Sequence, residues 1–144
     1  MKSKHLGENP KTFDDALQFV KQVESVFNNW DLEAVMAGFT DDCIVRFADA
    51  PVFEGTDRIR SMFTTRHVPR RDYRLIKTLK AYVNDIICNS WDCEWLDPES
   101  DAKMAGFGCE FWTMRHGKIA IWEGAINSWT VTREKPSRLP PKPA

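Results

Sequence analysis

Apolar and polar positions alternate between residues 105 and 129 in two runs that meet at His116-Gly117. Alternation with a period of two is typical of β-strands, and glycine tolerates the positive φ that a tight turn requires. The pattern therefore predicts a long β-hairpin with a two-residue turn. With that turn length, Glu110 is expected to lie directly opposite Glu123.

The two faces of the predicted hairpin differ in character. One face is expected to carry both glutamates among apolar and amide side chains, and the other is expected to be aromatic and aliphatic. The glutamate face comprises Glu110, Trp112, Glu123, Ala125 and Asn127. The second face comprises Phe107, Cys109, Phe111, Trp122 and Ile126.

Helical spacing of apolar residues upstream of the hairpin predicts three helices that precede most of the strands. Thr12, Asp31 and Thr56 are the expected N-caps, since short polar side chains accept bonds from the first backbone amides. The predicted helices run from 13 for about four turns, over 32–37 and over 57–66. The predicted strands cover 43–47, 73–83 and 86–95, with a hairpin turn at Asn84-Asp85. Residues 51–55 are expected to form a short strand or a turn.

This order of elements predicts an α+β fold with a bent, mainly antiparallel sheet closed over by helices. Residues 1–11 are polar and are expected to be a flexible N-terminus, and residues 12–132 are expected to form a single domain. Residues 133–144 hold half of the eight prolines of the chain, which predicts an extended tail.

The net charge of −1 argues against nucleic acid as a partner, because no surplus of basic residues exists to neutralise phosphates. The sequence contains no apolar run long enough for a transmembrane helix, and its first residues lack the apolar core of a signal peptide. A cytoplasmic location without membrane association is therefore expected. The four cysteines are expected to be buried free thiols, and neither a metal site nor a cofactor is expected.

Three segments resemble the SnoaL-like branch of the nuclear transport factor two-like superfamily. They are the turn and short helix at 28–35, the entry to the first strand at 39–45, and the Gly55-containing entry to the third helix at 53–59. The resemblance covers roughly residues 13–129. It implies a conical half-barrel with the N-terminal helices on the concave face of the sheet, a mostly apolar pocket, and dimers that pack sheet to sheet.

The same resemblance implies several activities, and the sequence departs from three of them. Ketosteroid isomerases have an Asp near the end of the first strand, where this chain has Arg46-Phe47. Scytalone-dehydratase-like chemistry needs two pocket histidines, and only His67 is a candidate. The Asp–Arg–Asp set of limonene-epoxide-hydrolase-like enzymes is not matched in residue type.

Glu110 and Glu123 are the catalytic candidates. Two carboxylates held together in an apolar pocket shift one pKa upward, which gives a general acid or base near neutral pH. Glu110→Gln is then expected to preserve or raise stability. In this interpretation Arg46 or Arg74 supplies positive charge to the site. The alternatives are a structural network in which Arg46 or Arg74 neutralises both carboxylates, and a face that is exposed to solvent. The candidate substrate-binding residues are Arg46, Arg74, Glu94, Trp112, Asn127 and His67.

A two-residue turn at Asn84-Asp85 has consequences for the charged residues of its two strands. It places Arg74 and Glu94 on opposite faces, so no ion pair between them is expected. Lys77 is expected to face Asp92, where a surface ladder of salt bridges and a position at the pocket are both possible. His67 is expected at the surface with a pKa of about 6.5.

The predicted function is a cofactor-free acid–base enzyme of lyase, isomerase, cyclase or hydrolase type that acts on a small apolar or aromatic molecule. The alternative is a non-catalytic ligand-binding or dimerisation module. A homodimer through Phe107, Phe111, Trp122 and Ile126 is expected, because large exposed aromatic patches mark interfaces. The rival expectation is that the tail with Leu139 covers this face.

Overall fold

The computed structural model describes residues 7–143. It contains three α-helices, a π-helical turn and six strands in that part of the chain. The helices are α1 (Phe13–Asn28), α2 (Leu32–Met36) and α3 (Thr56–Met62), and the π-helical turn Phe63–His67 follows α3 directly. The strands are β1 (Phe39–Phe47), β2 (Phe53–Glu54), β3 (Arg71–Val83), β4 (Ile86–Leu96), β5 (Lys103–Arg115) and β6 (Lys118–Thr130).

The helix starts follow the predicted capping chemistry in two of three cases. Thr12 accepts a bond from the backbone amide of Asp15, and Asp31 accepts one from the amide of Ala34. The predicted cap at Thr56 is wrong, because Gly55 occupies that position with a φ of 98° and Thr56 is already helical. Only glycine adopts this backbone conformation without strain.

The six strands form one mixed sheet in the order β2-β1-β6-β5-β4-β3. All neighbouring strands are antiparallel except β1 and β6, which are parallel. The sheet curls without closing, and the helices pack on one side of it, as the predicted α+β half-barrel requires. We refer to this side as the helix-covered face and to the opposite side as the outer face.

The core lies between α1 and the helix-covered face. Ala16 and Val20 of α1 are fully buried against residues from the middle of the sheet, including Ile87 and Trp112. A second cluster, Leu75, Trp91, Cys93 and Trp95, fills the end of the sheet formed by β3 and β4. No helix within residues 7–143 is long and apolar enough to cross a membrane.

Both predicted hairpin turns form, with positive φ at Asn84, Asp85, His116 and Gly117. Each hairpin then contains a β-bulge, where one strand carries an additional residue. In the β5–β6 hairpin that residue is Ala120, because Met114 pairs with Ile119 but Thr113 pairs with Ile121.

Beyond the bulge at Ala120, each residue of β5 pairs with a residue of β6 that is one position later than a regular hairpin would give. Glu110 lies opposite Gly124, and Glu123 lies opposite Phe111. The predicted Glu110–Glu123 pair is therefore wrong. Since side chains alternate between faces, Glu110 lies on the helix-covered face and Glu123 on the outer face.

A second bulge lies at Lys80 in the β3–β4 hairpin, since Leu79 pairs with Asn89 while Ala81 pairs with Cys88. It places Arg74 opposite Glu94, which contradicts the expectation that these residues lie on opposite faces. Lys77 pairs with Trp91 and lies on the helix-covered face rather than in a surface ladder.

Candidate functional site

An apolar cavity of about 400 Å³ lies between the helices and the helix-covered face. Its walls are mainly aromatic and aliphatic. The aromatic lining comprises Phe19, Phe27, Phe39, Phe63, Trp112 and Trp122. The charged side chains are Lys77 and Glu110, with Lys118 near the exposed turn of the β5–β6 hairpin.

Lys77 and Glu110 form a buried ion pair in this cavity. The Lys77 Nζ donates to Glu110 Oε1 at 2.6 Å, and the indole Nε1 of Trp122 donates to the other carboxylate oxygen at 3.1 Å. The two side chains are 5% and 3% exposed. Both carboxylate oxygens of Glu110 are thus held by fixed donors, which orients the group at the cavity wall.

Aromatic rings surround the ammonium group of Lys77. Its Nζ lies 4.6 Å from the ring centre of Trp91, 5.2 Å from that of Trp112 and 5.9 Å from that of Phe27. The faces of such rings attract cations, and the attraction is stronger where water is excluded. The rings and the carboxylate together stabilise a charge that burial alone would disfavour.

Polar side chains of α1 fix the position of β3 at the site. Glu24 accepts a bond from the backbone amide of Lys77 at 2.7 Å, and Lys21 donates to its carbonyl at 2.8 Å. One turn further, Asn28 bonds both the amide and the carbonyl of Leu75. Helix and strand are thereby held in a single register, which determines where the Lys77 side chain enters the cavity.

Asn89 is a further polar residue on this side of the sheet. It pairs with Glu110 across β4 and β5 and is only 2% exposed. Both its amide nitrogen and its amide oxygen lack a hydrogen-bond partner within the described chain. A buried amide without partners is costly, so this position suits an added polar group such as a water molecule.

Trp112 lines the cavity, as the sequence suggested, but the remaining predicted substrate-binding residues do not. Arg46 lies on the outer face, where its guanidinium is 3.8 Å from the carboxylate of Glu123. Asn127 is exposed and pairs with Phe107 on the same face. The idea that Arg46 supplies positive charge to Glu110 is therefore wrong.

Arg74 and Glu94 form an ion pair of 2.7 Å on the outer face beneath the C-terminal tail. Ser137 of the tail donates to the second carboxylate oxygen of Glu94 at 2.7 Å, and Arg74 also donates to the carbonyl of Pro140. Burial raises the pKa of Glu94, but the bonds from Arg74 and Ser137 outweigh it and bring the pKa below its ordinary value. These residues hold the tail in place and do not line the cavity.

His67 is buried, which contradicts the predicted surface position. Burial, with a smaller contribution from the charge of Arg70, lowers its pKa to about 4. It lies beside Trp30 and Tyr73, with ring centres 4.1 Å and 4.3 Å away. It lines a separate cavity and not the one that contains Lys77.

The bulge at Ala120 divides the four residues of the predicted dimer patch between the two faces of the sheet. Trp122 and Ile126 lie on the helix-covered side, while Phe107 and Phe111 lie on the outer face. Phe111 is 51% exposed, and Phe107 is covered by the guanidinium of Arg138 at 4.8 Å. The homodimer stays a prediction.

The tail does fold back onto the outer face, where Leu139 is buried. The cysteines are free, as predicted, and all four lie in strands. Cys43 and Cys93 are buried, but the expectation of burial is wrong for Cys109, which is exposed.

Two residues of the candidate site, Lys77 and Trp122, were not among the predicted site residues. A strict alternation that ignored the bulges assigned Trp122 to the outer face and paired Lys77 with Asp92. Near Ala120 a signal existed, since Ile119, Ala120, Ile121 and Trp122 are four consecutive apolar residues that interrupt the alternation. Within residues 7–143 no group of three or more His, Cys, Asp or Glu side chains could hold a metal ion.

Three solved structures illustrate the fold that this geometry belongs to. SalBIII, an epoxide hydrolase/cyclase-like enzyme in pyran ring formation in the polyether salinomycin, is 16% identical with a TM-score of 0.69, covering 81% of this chain and 97% of its own. An NTF2-like protein of unknown function from Burkholderia pseudomallei is 17% identical with a TM-score of 0.65, covering 78% and 90%. An LEH-like epoxide hydrolase from M. tuberculosis is 13% identical with a TM-score of 0.60, covering 78% and 82%.

These likenesses establish the NTF2-like and SnoaL-like fold that the sequence resemblance implied. At such low identity they do not establish an activity. No curated protein matches the sequence. A family model described as "Protein of unknown function (DUF1348)" matches residues 9–138, which is most of the chain. The chain therefore belongs to the DUF1348 family, within the NTF2-like fold.

Proposed function

We propose that the protein is a cofactor-free acid–base enzyme that acts on a small apolar or aromatic carbonyl compound. The observation that carries the proposal is the buried Lys77–Glu110 pair, 2.6 Å apart in an aromatic cavity. A carboxylate and an ammonium held side by side in an apolar site suit proton abstraction next to a carbonyl. Glu110 replaces the predicted glutamate pair as the acid–base residue, and Lys77 replaces the arginines as the source of positive charge.

In the proposed reaction Glu110 is the general base. Its carboxylate takes a proton from the carbon adjacent to the substrate carbonyl, and the C–H electron pair moves onto the carbonyl oxygen. Lys77 donates a hydrogen bond to the resulting enolate oxygen, which lowers the energy of the charge that develops there. Glu110 then returns the proton to the same or another carbon atom, so an isomerisation needs no further reactant.

The Trp122 indole holds Glu110 during this exchange of partners. When Lys77 turns from Glu110 Oε1 to the substrate oxygen, the bond from Trp122 to Oε2 is still in place. The carboxylate therefore keeps its orientation while one of its oxygens becomes free to accept a proton. The restrained geometry reduces the entropy that the reaction step would otherwise lose.

The cavity dimensions indicate the size of the substrate. A volume of about 400 Å³ lies near the lower end of ligand pockets, which suits a compact molecule of one or two rings. The structural relatives include epoxide hydrolase- and cyclase-like enzymes, which supports an enzymatic use of the same cavity.

A non-catalytic binding function is the second candidate, and one observation favours it. Lys77 and Glu110 already satisfy each other, so a purely apolar ligand could fill the cavity without breaking their bond. In that case the ion pair would only shape the cavity wall. If the protein is an enzyme of the proposed type, the protons next to the carbonyl of a bound compound exchange with the solvent. If it only binds the compound, they do not.

Proton exchange in deuterium oxide is the test. Compact ketones such as 2-tetralone are incubated with the protein, and the loss of the signal from protons next to the carbonyl is followed by NMR. The enzyme proposal expects catalysed exchange that falls by about 10²-fold or more in Glu110→Gln. Glu123→Gln on the outer face is the matched control and should keep the full rate. A ketone that binds without any catalysed exchange would favour the binding function.

A further inference from the structure

A second cavity, of about 340 Å³, lies at the C-terminal end of α1, where that helix meets the π-helical turn and the start of β3. Phe27 lines both cavities and forms the wall between them. The lining of the second cavity is more polar than that of the first and combines aromatic rings with charged and amide side chains. It comprises Phe27, Asn28, Asn29, Trp30, His67, Val68, Arg70, Asp72 and Tyr73.

Three backbone irregularities converge on this cavity. His67 is the last residue of a π-helical turn, a rare form that often occurs at functional positions. Trp30 and Asp72 have positive φ values of 24° and 51°, which non-glycine residues seldom adopt. Conformations of this kind cost free energy and persist where the surrounding structure requires them. Their common location favours a function for this cavity.

The imidazole of His67 lines this cavity without a bonded partner. The residue is 9% exposed, and neither ring nitrogen has a hydrogen-bond partner within the described part of the chain. Trp30 and Tyr73 hold the ring by packing alone. The lowered pKa, about 4, means that the imidazole is neutral at neutral pH and offers one N–H donor.

Arg70 supplies the positive charge that His67 experiences. Its guanidinium lies 4.2 Å from the ring centre of Trp95, and no carboxylate forms an ion pair with it among residues 7–143. Asp72, which is exposed, is the acidic residue in the lining. Asn28 and Asn29 also line the cavity, but their amides bond the backbone of Leu75 and of Ser25. An unpaired guanidinium beside a neutral imidazole favours an anionic guest.

We propose that this second cavity binds the carboxylate of a small aromatic acid between Arg70 and His67. The guanidinium donates to the carboxylate, the imidazole N–H donates a further bond, and the aromatic walls contact the ring of the acid. This site is distinct from the Lys77–Glu110 pocket and does not depend on the function proposed for it. Because Phe27 separates the two cavities, an acid bound here would lie against the wall of the proposed active site.

Benzoate is the probe, and NMR of the histidine ring is the readout. In the wild-type protein, benzoate should shift the His67 ring signals in a saturable manner. It should also raise the pKa of His67 above its value in the free protein, because a neighbouring anion stabilises the imidazolium. Benzyl alcohol has the same ring without the charge and should produce neither effect.

Two arginine variants locate the anion. Arg70→Gln should weaken benzoate binding by about tenfold or more, as expected for loss of a charged donor. Arg66→Gln removes the same charge from an exposed position of the π-helical turn and should bind benzoate as the wild type does. Glu110→Gln should also keep benzoate binding, so this proposal and the enzyme proposal can fail separately.

The proposal is overturned if benzoate leaves the His67 signals unchanged. It is also overturned if Arg70→Gln binds benzoate as tightly as the wild type, or if benzoate shifts only the indole signals of Trp112 and Trp122. Circular dichroism of each variant establishes that a loss of binding is not a loss of folding. If Arg70→Gln does not fold, Arg70→Lys keeps the charge but loses the paired donors and should show intermediate affinity.

Discussion

Lys77 and Glu110 are joined by a bond of 2.6 Å, although they belong to β3 and β5, which are separated in the sheet by β4. The pair crosses β4 diagonally, since Lys77 lies opposite Trp91 and Glu110 lies opposite Asn89. The bulge at Lys80 brings Lys77 to the face that carries Glu110, and the bulge at Ala120 brings the Trp122 indole to the same face. The proposed acid–base site therefore depends on two single-residue irregularities.

Glu110→Gln is expected to lower stability, which reverses the expectation drawn from the sequence. Two facing glutamates would repel, but the structure gives Glu110 an ammonium partner that would be left buried and unpaired. Loss of one partner of a buried ion pair costs about 3–5 kcal/mol. Urea unfolding at neutral pH, compared with Glu123→Gln, measures the difference.

The double variant Lys77→Met with Glu110→Leu is the companion experiment. Removing both charges should restore a large part of the stability, because no charge is then left without a partner. If the double variant loses as much as the sum of the single losses, the ion pair does not exist in solution.

Gly108→Ala is expected to destabilise the protein and disturb the site without touching it. A Cβ at this position would overlap the six-membered ring of Trp91, which lies against the strand and packs on Lys77. Forcing an added methyl into such a contact costs about 1–3 kcal/mol. Urea unfolding followed by tryptophan fluorescence measures it. Gly38→Ala is the control with a smaller expected loss, since its added Cβ would lie 3.3 Å from the carbonyl oxygen of Val35.

The sequence predicted the helices, strands, turns and overall fold because these depend on local periodicity and capping. The faces of the strands could not be predicted to the same extent. A bulge adds one residue and exchanges the two faces for all the residues beyond it. Around Lys80 the sequence Leu79-Lys80-Ala81-Tyr82 contains no signal of this kind. The burial of His67 depends on Trp30 and Tyr73, which are distant in sequence, so its surroundings could not be predicted from its own segment.

The low pKa of His67 predicts a specific dependence of stability on pH. The imidazole has a pKa of about 4 in the folded state and about 6.5 in the unfolded state, so below pH 6.5 the unfolded state binds more protons. The contribution of His67 to the free energy of unfolding is fully present above the unfolded-state pKa of about 6.5. It falls as the pH decreases from 6.5 to 4. Between pH 7.5 and pH 5 this group should account for about 2 kcal/mol of lost stability.

Urea unfolding of His67→Phe at the same two pH values isolates this contribution. The variant should lose less stability than the wild type on acidification, by about the amount given above. His116→Phe, at the exposed hairpin turn, should show the wild-type dependence. Equal pH dependence in wild type and His67→Phe would mean that the imidazole is not buried.

The C-terminal tail is expected to be protected from proteolysis by Leu139, which is buried on the outer face. Leu139→Ser removes that contact and should free the tail, because a polar side chain gains little from the same site. Limited trypsin digestion followed by mass spectrometry should then show faster cleavage after Arg138 than in the wild type. Pro141→Ser, at an exposed tail position, should remain protected. Equal cleavage of Leu139→Ser and wild type would contradict the docked tail.

The location of the bound ligand tests the account most directly, and the tryptophan indole signals report it. Trp112 and Trp122 line the Lys77–Glu110 cavity, and Trp129 donates to the carbonyl of Pro136 in the tail, outside that cavity. In ¹⁵N-labelled protein, 2-tetralone should shift the indole signals of Trp112 and Trp122 in a saturable manner and leave that of Trp129 unchanged. Glu110→Gln should shift the Trp122 indole signal before any ligand is added. Saturable shifts at Trp129 alone, or a Trp122 signal that does not respond to Glu110→Gln, would contradict the proposed site.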